Sequence, residues 1–271
     1  MGTVRIHCMT NPVTMQDVAN ILLAVGASPI MAQDRREAAE VALHSDALLL
    51  NTGVPDDEKW AAWECAGQAA EKGGRPIVLD PVGAGASQYR RQGLLKLLRS
   101  VHPKLIRCNQ AEACVLLEIK NRMDEGLEEG KHAGSFRKFC KEANLQDKSG
   151  GVDSSLSLST EQACALAEEL AERYGCAVLV SGETDIVSDG IKTLVIGGGD
   201  VRIRKITGGG CMLSALCAWR LCTEEALSAA EHAGRLWRAA SAEAGRRTDS
   251  RRGGIGTFHA ALFDAMEELS R

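Results

Sequence analysis

Long apolar runs are missing from this sequence of 271 residues, and so is any excess of positive charge. Stretches such as Ala47–Leu50 and Ile77–Leu79 are too short to cross a bilayer. With 32 Lys and Arg against 36 Asp and Glu, the formal net charge is −4, so the sequence lacks the basic excess typical of nucleic-acid-binding proteins. We therefore expect no membrane and no nucleic acid among its partners.

Closely spaced cysteine pairs are also absent. The ten cysteines include no CxxC pair, and none lies at zinc-ligand spacing from the six histidines. Several lie in apolar stretches such as Cys176–Val180, which is typical of buried thiols in a reducing compartment. The first residues resemble neither a signal peptide nor a transit peptide, so we expect a cytoplasmic protein.

The arrangement of apolar segments predicts the fold class. Hydrophobic residues make up 45% and charged residues 25%, as in a soluble globular domain. Short apolar runs such as Arg75–Asp80 and Lys104–Asn109 alternate with segments of helical length, a pattern typical of a parallel sheet with crossover helices. After Cys176, two strand-like runs flank Asp189-Gly190, which predicts a hairpin. The sequence therefore predicts an α/β protein.

One segment differs in composition from the rest. Between Glu118 and Ser159 the residues are charged and dotted with glycine and serine, with little apolar periodicity. This segment is too short for a second domain, and nothing else resembles a linker or a repeat. We expect a single domain over residues 1–271, with a surface insertion at about residues 119–148.

Three consecutive glycines, Gly208–Gly210, lead directly into an apolar segment of helical period that begins at Cys211. The backbone N–H groups of such a turn, together with the positive end of a helix, form a hole for an anion. The Walker A pattern and the GxGxxG pattern are both absent. A thiol in the first helical turn is expected to have a lowered pKa, which makes Cys211 a candidate base or nucleophile; an inert buried thiol is the alternative.

Three more segments place polar side chains at the ends of predicted strands. Asp80 starts DPVGAGAS and either holds a metal or its waters, or caps the next helix. Arg107 and Glu112, in RCNQAE, suit phosphate and Mg²⁺ respectively, although caps and surface ion pairs are the common use of such residues. Ser181 starts SGETD, which fits a nucleotide site or ordinary turn chemistry equally well.

Taken together and in order, these motifs resemble those of the hydroxyethylthiazole kinase family, in the ribokinase-like superfamily. The matching text is HCMTNPVTMQDVANILLAVGASPIMA at His7–Ala32, then DALLLNTGVP, PIVLDPVGAGAS, RCNQAE, SGETDIVSDG, KITGGGCML and GIGTFHAALFDAM. It extends over nearly the whole chain except the expected insertion. The resemblance implies a ribokinase-like three-layer α/β fold, with a central, mostly parallel sheet flanked by helices.

The resemblance also implies an activity, the ATP-dependent phosphorylation of the hydroxyl of 4-methyl-5-(2-hydroxyethyl)thiazole in thiamine salvage. It makes Cys211 the catalytic base, at the place where ribokinase-like enzymes usually carry an aspartate. The turn at Gly208–Gly210 would then stabilise charge on the transferring phosphoryl group. The family further implies Mg²⁺, ATP as co-substrate, and a homotrimer with its sites at protomer boundaries.

The other site residues follow from the same resemblance. Arg107 and Ser181 would bind ATP. Asp80 and Glu112 would serve the metal. The anion hole would be formed by the amides of Gly209 and Gly210. The expected thiazole pocket consists of Met31, Gly208, Asn11, Val13 and Gly53.

Three positions depart from the family pattern. Gly209 stands where threonine is typical, Cys108 where glycine is usual, and Pro12 where an aromatic or polar residue is common. These departures leave two alternatives open: a kinase for another small alcohol such as a hydroxymethylpyrimidine, or a catalytically inactive member that binds a thiazole or a nucleotide. Retention of all four candidate base, phosphate and metal residues argues against the inactive alternative.

Overall fold

The computed structural model describes residues 3–124 and 158–271, which contain eight strands and nine α-helices. The strands are β1 (Arg5–Met9), β2 (Ser28–Ile30), β3 (Ala47–Asn51), β4 (Ile77–Asp80), β5 (Leu105–Asn109), β6 (Ala177–Ser181), β7 (Asp185–Ser188) and β8 (Thr193–Ile196). The helices are α1 (Met15–Ala24), α2 (Arg35–Leu43), α3 (Asp57–Lys72), α4 (Gln88–Ser100), α5 (Gln110–Asp124), α6 (Thr160–Tyr174), α7 (Gly209–Leu221), α8 (Ala226–Ser250) and α9 (Ile255–Ser270). A 3₁₀ helix at Val201–Lys205 precedes α7.

The strands form one sheet in the order β2-β1-β3-β4-β5-β6-β7-β8. Neighbouring strands from β2 to β6 are parallel, whereas β7 and β8 are antiparallel additions. The predicted hairpin joins β7 to β8, and Gly190 in its turn has φ +87°, a value that glycine adopts without strain. The mostly parallel α/β architecture predicted from the sequence is therefore confirmed.

Two hydrophobic cores lie on opposite faces of the sheet. Successive side chains of a strand point to opposite faces, so Ala47 and Leu49 enter one core while Leu48 and Leu50 enter the other. The first core packs against α1, α7, α8 and α9, and the second against α2 to α6. Because every residue of β3 is buried, its continuous apolar run reflects burial on both faces. Helix, sheet and helix thus make the three predicted layers.

The expected insertion at about residues 119–148 overlaps the end of α5. Residues 119–124 belong to that helix, and Ile119 is buried in the second core. Residues 125–148 lie outside the described residues, so their placement stays a prediction. None of the helices in residues 3–124 and 158–271 combines the length and the apolar character that a bilayer crossing requires.

Candidate functional site

The glycine turn lies at the start of α7, where the helix meets the carboxyl edge of the sheet. Gly208 has φ +83°, and a Cβ there would lie 2.7 Å from Cγ2 of Thr14, so both backbone conformation and space require glycine. The Met212 N–H donates to the Gly208 carbonyl at 2.8 Å and closes the first turn. The preceding N–H groups of the helix have no acceptor within it, as an anion hole needs.

Gly209 and Gly210 differ in the space around them. A Cβ on Gly210 would lie 2.8 Å from Cζ of Arg107, because the guanidinium packs directly against this glycine. A Cβ on Gly209 would make only ordinary contacts, 3.5 Å from the Ile203 carbonyl oxygen and 3.6 Å from Cζ2 of Trp237. Close packing therefore requires glycine at position 210 but not at position 209, where the sequence departs from the family.

The Cys211 thiol is buried in a pocket of amide donors. Its Sγ accepts hydrogen bonds from Nδ2 of Asn51 at 3.1 Å and from Nδ2 of Asn11 at 3.7 Å. Burial, followed by the negative charge of Asp80, raises the pKa of the thiol to about 12, while the hydrogen bond from Asn51 and the charge of Arg107 act in the opposite direction. The expectation of a lowered pKa is wrong, because loss of solvent outweighs the helix N-terminus.

Asn51 connects Cys211 to Asp80, and it is a site residue beyond those predicted from the sequence. Its Nδ2 also donates to Oδ2 of Asp80 at 2.7 Å, while its Oδ1 accepts from Nδ2 of Asn11 and from the Gly53 N–H. Asn51 and Asp80 are paired in register as the last residues of β3 and β4. Its position at a strand end beside Asp80 is the signal that could have revealed it.

Arg107 lies beside Asp80 on the neighbouring strand, in the middle of β5. Its Nη2 donates to Oγ of Ser181, and its Nη1 lies 3.7 Å from Oδ1 of Asp80. Within the described residues, Nε of Arg107 and Oδ1 of Asp80 are buried without a hydrogen-bond partner. Buried polar atoms of this kind normally have partners, so both are available to a bound ligand.

Glu112 holds two backbone segments together. Its Oε1 accepts from the Gly83 N–H at 2.9 Å, and its Oε2 accepts from the Asn109 N–H at 2.8 Å. The Glu112 N–H donates in return to Oδ1 of Asn109, which completes a capping box for α5. Burial, followed by the charge of Asp80, raises the pKa of Glu112 to about 7. The structure therefore shows Glu112 in a structural role, as acceptor for the Gly83 and Asn109 N–H groups. Its role at a metal stays a prediction.

Only some of the residues predicted to bind the thiazole lie at the Cys211 pocket. Asn11 is buried there, and a Cβ on Gly53 would lie 2.8 Å from its Nδ2, so this glycine lets Asn11 approach. The Val13 N–H donates to Oδ1 of Asn11, but the Val13 residue is 66% exposed. Met31 is partly buried against the first core. Contact of these residues with a thiazole stays a prediction.

The other two departures from the family pattern lie away from the Cys211 sulfur. Cys108 is fully buried in the second core, on the face of the sheet opposite to Cys211, and its carbonyl accepts from Oγ of Ser181 at 3.3 Å. Pro12 is exposed. In the described ranges, no group of three or more His, Cys, Asp or Glu side chains could hold a metal ion by itself.

Comparison with known proteins identifies relatives of this chain. The model of the hydroxyethylthiazole kinase family matches residues 3–146 and 133–271. The hydroxyethylthiazole kinase of Lysinibacillus sphaericus is 34% identical over 267 residues, which cover 98% of this chain and 92% of that protein. The solved structure of the hydroxyethylthiazole kinase protein from Pyrococcus horikoshii has a TM-score of 0.76 at 28% identity, covering 98% of this chain and 88% of that one. A ribokinase-like superfamily protein from Enterococcus faecalis, at 9% identity, has a TM-score of 0.60 with coverage of 98% and 87%, and shows the fold alone.

Proposed function

We propose that this chain, which belongs to the hydroxyethylthiazole kinase family, transfers the γ-phosphoryl group of ATP to the hydroxyl of 4-methyl-5-(2-hydroxyethyl)thiazole in thiamine salvage. The family consists of ATP-dependent kinases that phosphorylate an alcohol. The observation that carries this proposal is the contact between the Arg107 guanidinium and Gly210 in the first turn of α7. This turn brings free helix N–H groups next to a buried cation and the Cys211 sulfur, as transfer of an anionic group to an alcohol requires.

Each site residue then has a chemical task. The amides of Gly209 and Gly210, with the Arg107 guanidinium, stabilise charge on the transferring phosphoryl group. Ser181 orients Arg107 and lies beside the nucleotide. In its thiolate form, Cys211 accepts the proton of the substrate hydroxyl as the new O–P bond forms and the bond to ADP breaks. Asn51 holds the sulfur in place and ties it to Asp80.

We place Mg²⁺ next to Asp80. The buried Oδ1 of Asp80, which accepts no hydrogen bond within the described residues, is a hard oxygen ligand of the type that Mg²⁺ prefers. Both oxygens of Glu112 already accept backbone N–H groups, so this residue would act on the ion through water. When bound, the ion would neutralise part of the phosphate charge.

The proposal includes a homotrimer in the cytoplasm. An apolar ligand needs a largely enclosed pocket, and the 66% exposure of Val13 leaves that wall open in one protomer, which supports closure by a second one. Eight cysteines in the described ranges, among them Cys8, Cys108 and Cys211, are free thiols, which supports a reducing compartment.

The test is ADP release by the purified protein with ATP and Mg²⁺, using hydroxyethylthiazole and hydroxymethylpyrimidine as alternative acceptors. We expect thiazole-dependent turnover that clearly exceeds turnover with the pyrimidine. Faster turnover with the pyrimidine would mean that the acceptor is another small alcohol. Saturable thiazole binding without ADP release would contradict the kinase and favour an inactive binding protein.

A further inference from the structure

A buried arginine that the mechanism does not use lies on the middle of α8. Nε and Nη2 of Arg238 donate to the two carboxylate oxygens of Asp185 at 2.7 and 2.6 Å. Their side chains are only 13% and 2% exposed, so this is a two-pronged ion pair shielded from solvent. Exposed ion pairs contribute little to stability, but breaking one that is buried leaves a charge without a partner.

The same guanidinium also binds backbone carbonyls from two separate loops. Nη2 donates to the Gly182 carbonyl at 3.0 Å, and Nη1 donates to the Glu183 carbonyl at 3.0 Å. Nη1 further donates to the Gly198 carbonyl at 2.9 Å. The first two carbonyls lie in the turn between β6 and β7, and the third lies after β8. Arg238 therefore fastens both loops to α8.

The loop after β8 fits closely over Arg238. Gly199 has φ +88°, and a Cβ there would lie 2.9 Å from Oγ of Ser241 and 3.1 Å from Cδ of Arg238. Ser241, one turn further along α8, accepts a hydrogen bond from the Asp200 N–H at 3.2 Å. Such an approach requires glycine and keeps the loop in one position.

Both fastened loops continue into the phosphate end of the candidate site. Ser181 immediately precedes Gly182 and accepts the hydrogen bond from Arg107. The loop after β8 continues through the 3₁₀ helix at Val201–Lys205 into the turn at Gly208. Displacement of either loop would therefore move groups that we assign to the nucleotide phosphates, while Asn11 and Gly53 belong to other loops.

We propose that Arg238 is a positioning residue for nucleotide binding, which holds the Ser181 turn and the glycine turn at the spacing that the phosphates of ATP require. The inference rests on the proposed function, because that function supplies the nucleotide. It assigns Arg238 an effect on affinity for ATP and ADP, with little effect on affinity for the alcohol.

The test compares Arg238→Met with Arg173→Met, a control remote from the site. Arg173 also binds several groups, with Nη2 donating to Asn121 and to Asp124 on α5. We expect Arg238→Met to weaken the binding of Mg²⁺–ADP by about tenfold or more in calorimetry and to raise the KM for ATP similarly. The KM for the thiazole should stay within about twofold, and Arg173→Met should bind ADP as the wild type does.

A second variant separates positioning from folding. Arg238→Met alone leaves the Asp185 carboxylate buried without its cation, whereas Arg238→Met with Asp185→Asn removes that charge. We expect the double variant to recover thermal stability but not ADP affinity. Arg238→Lys should recover ADP affinity only in part, because an ammonium group cannot reproduce the planar fork that reaches Asp185 and both loops.

Several outcomes would overturn the inference. Wild-type ADP affinity in the folded double variant would show that Arg238 serves folding alone. An equal loss of affinity in Arg173→Met would show a general effect of destabilisation. Failure of the wild-type protein to bind Mg²⁺–ADP would overturn the proposed function and this inference together. If the wild type binds normally and Arg238→Met binds equally well, only the role of Arg238 is overturned.

Discussion

At the scale of single residues, the sulfur of Cys211 is under opposing influences. Its burial and the neighbouring Asp80 carboxylate disfavour the thiolate, whereas the Asn51 amide and the Arg107 cation favour it. With a pKa of about 12, the thiol is protonated near neutral pH in the protein alone. Proton transfer is a small part of the barrier when the phosphoryl transition state is loose, so a base whose thiolate form is scarcely populated is compatible with a working kinase.

Replacement of Cys211 by alanine measures how much the reaction depends on that base. We expect Cys211→Ala to lower kcat by about 10²-fold, which is at the low end of general base catalysis, because the proton then passes to water. Affinity for Mg²⁺–ADP should be unchanged, since the phosphate contacts remain. Steady-state kinetics and calorimetry provide the two measurements.

Cys217→Ala is the matched control for this variant. Cys217 is a fully buried thiol in the same helix, in the first core, with no assigned role in the site. Turnover by this variant should equal that of the wild type at a temperature where both are folded. A Cys211→Ala enzyme that keeps most of its kcat would remove Cys211 from the base role and leave it a packing residue.

At the scale of elements, the first turn of α7 starts the helix and is also the anion hole that we propose, and substitutions at Gly209 and Gly210 distinguish these two roles. Gly209→Ala adds a Cβ into ordinary van der Waals space and favours the helix by about 0.5–1 kcal/mol. We expect a rise in Tm of about 2 °C with unchanged ADP affinity. Thermal unfolding and ADP titration check both expectations.

Gly210→Ala, in contrast to Gly209→Ala, should weaken the binding of ADP. Its Cβ would overlap the Arg107 guanidinium, so this side chain must leave its place between Ser181 and Asp80. ADP affinity should fall by about tenfold or more, although the helix propensity gain is the same as at Gly209. Equal ADP affinity in the two variants would contradict the assignment of Arg107 to the phosphates.

The elements also explain which site residues could be predicted from sequence. Asp80 and Ser181 end apolar strands, and Arg107 lies two residues before the end of another, so their meeting near one edge follows from parallel pairing. The spacing of Asn109 and Glu112 is that of a capping box, a structural role that the resemblance alone did not bring out. Burial of Cys211 could not be predicted from its helical position, because it depends on the tertiary contacts around it.

At the scale of the whole molecule, alternation of apolar runs and helices was enough to predict a parallel sheet with crossover helices, and the family resemblance implied the three layers. The alternation was not enough to predict the sheet order, in which β1 lies between β2 and β3. The three-residue β2 was not distinguishable as a strand, since Ser28–Ile30 is short and contains proline. The hydrogen bonds of Arg238 could not be predicted either, because they join this side chain to backbone carbonyls more than 50 positions away in the sequence.

Assembly is the last property that belongs to this scale. The pocket wall that we propose at Val13 is 66% exposed, so it cannot enclose an apolar ring in an isolated chain. Because the family resemblance implies a homotrimer, we expect light scattering to give three times the chain mass of 28.9 kDa. Val13→Asp should shift the mass toward the monomer and raise the KM for the thiazole, because burying a carboxylate at a protomer boundary is unfavourable. Ile191→Asp, at a 94% exposed position in the β7–β8 turn, should stay trimeric. A wild-type monomer with full thiazole kinase activity would contradict the shared site.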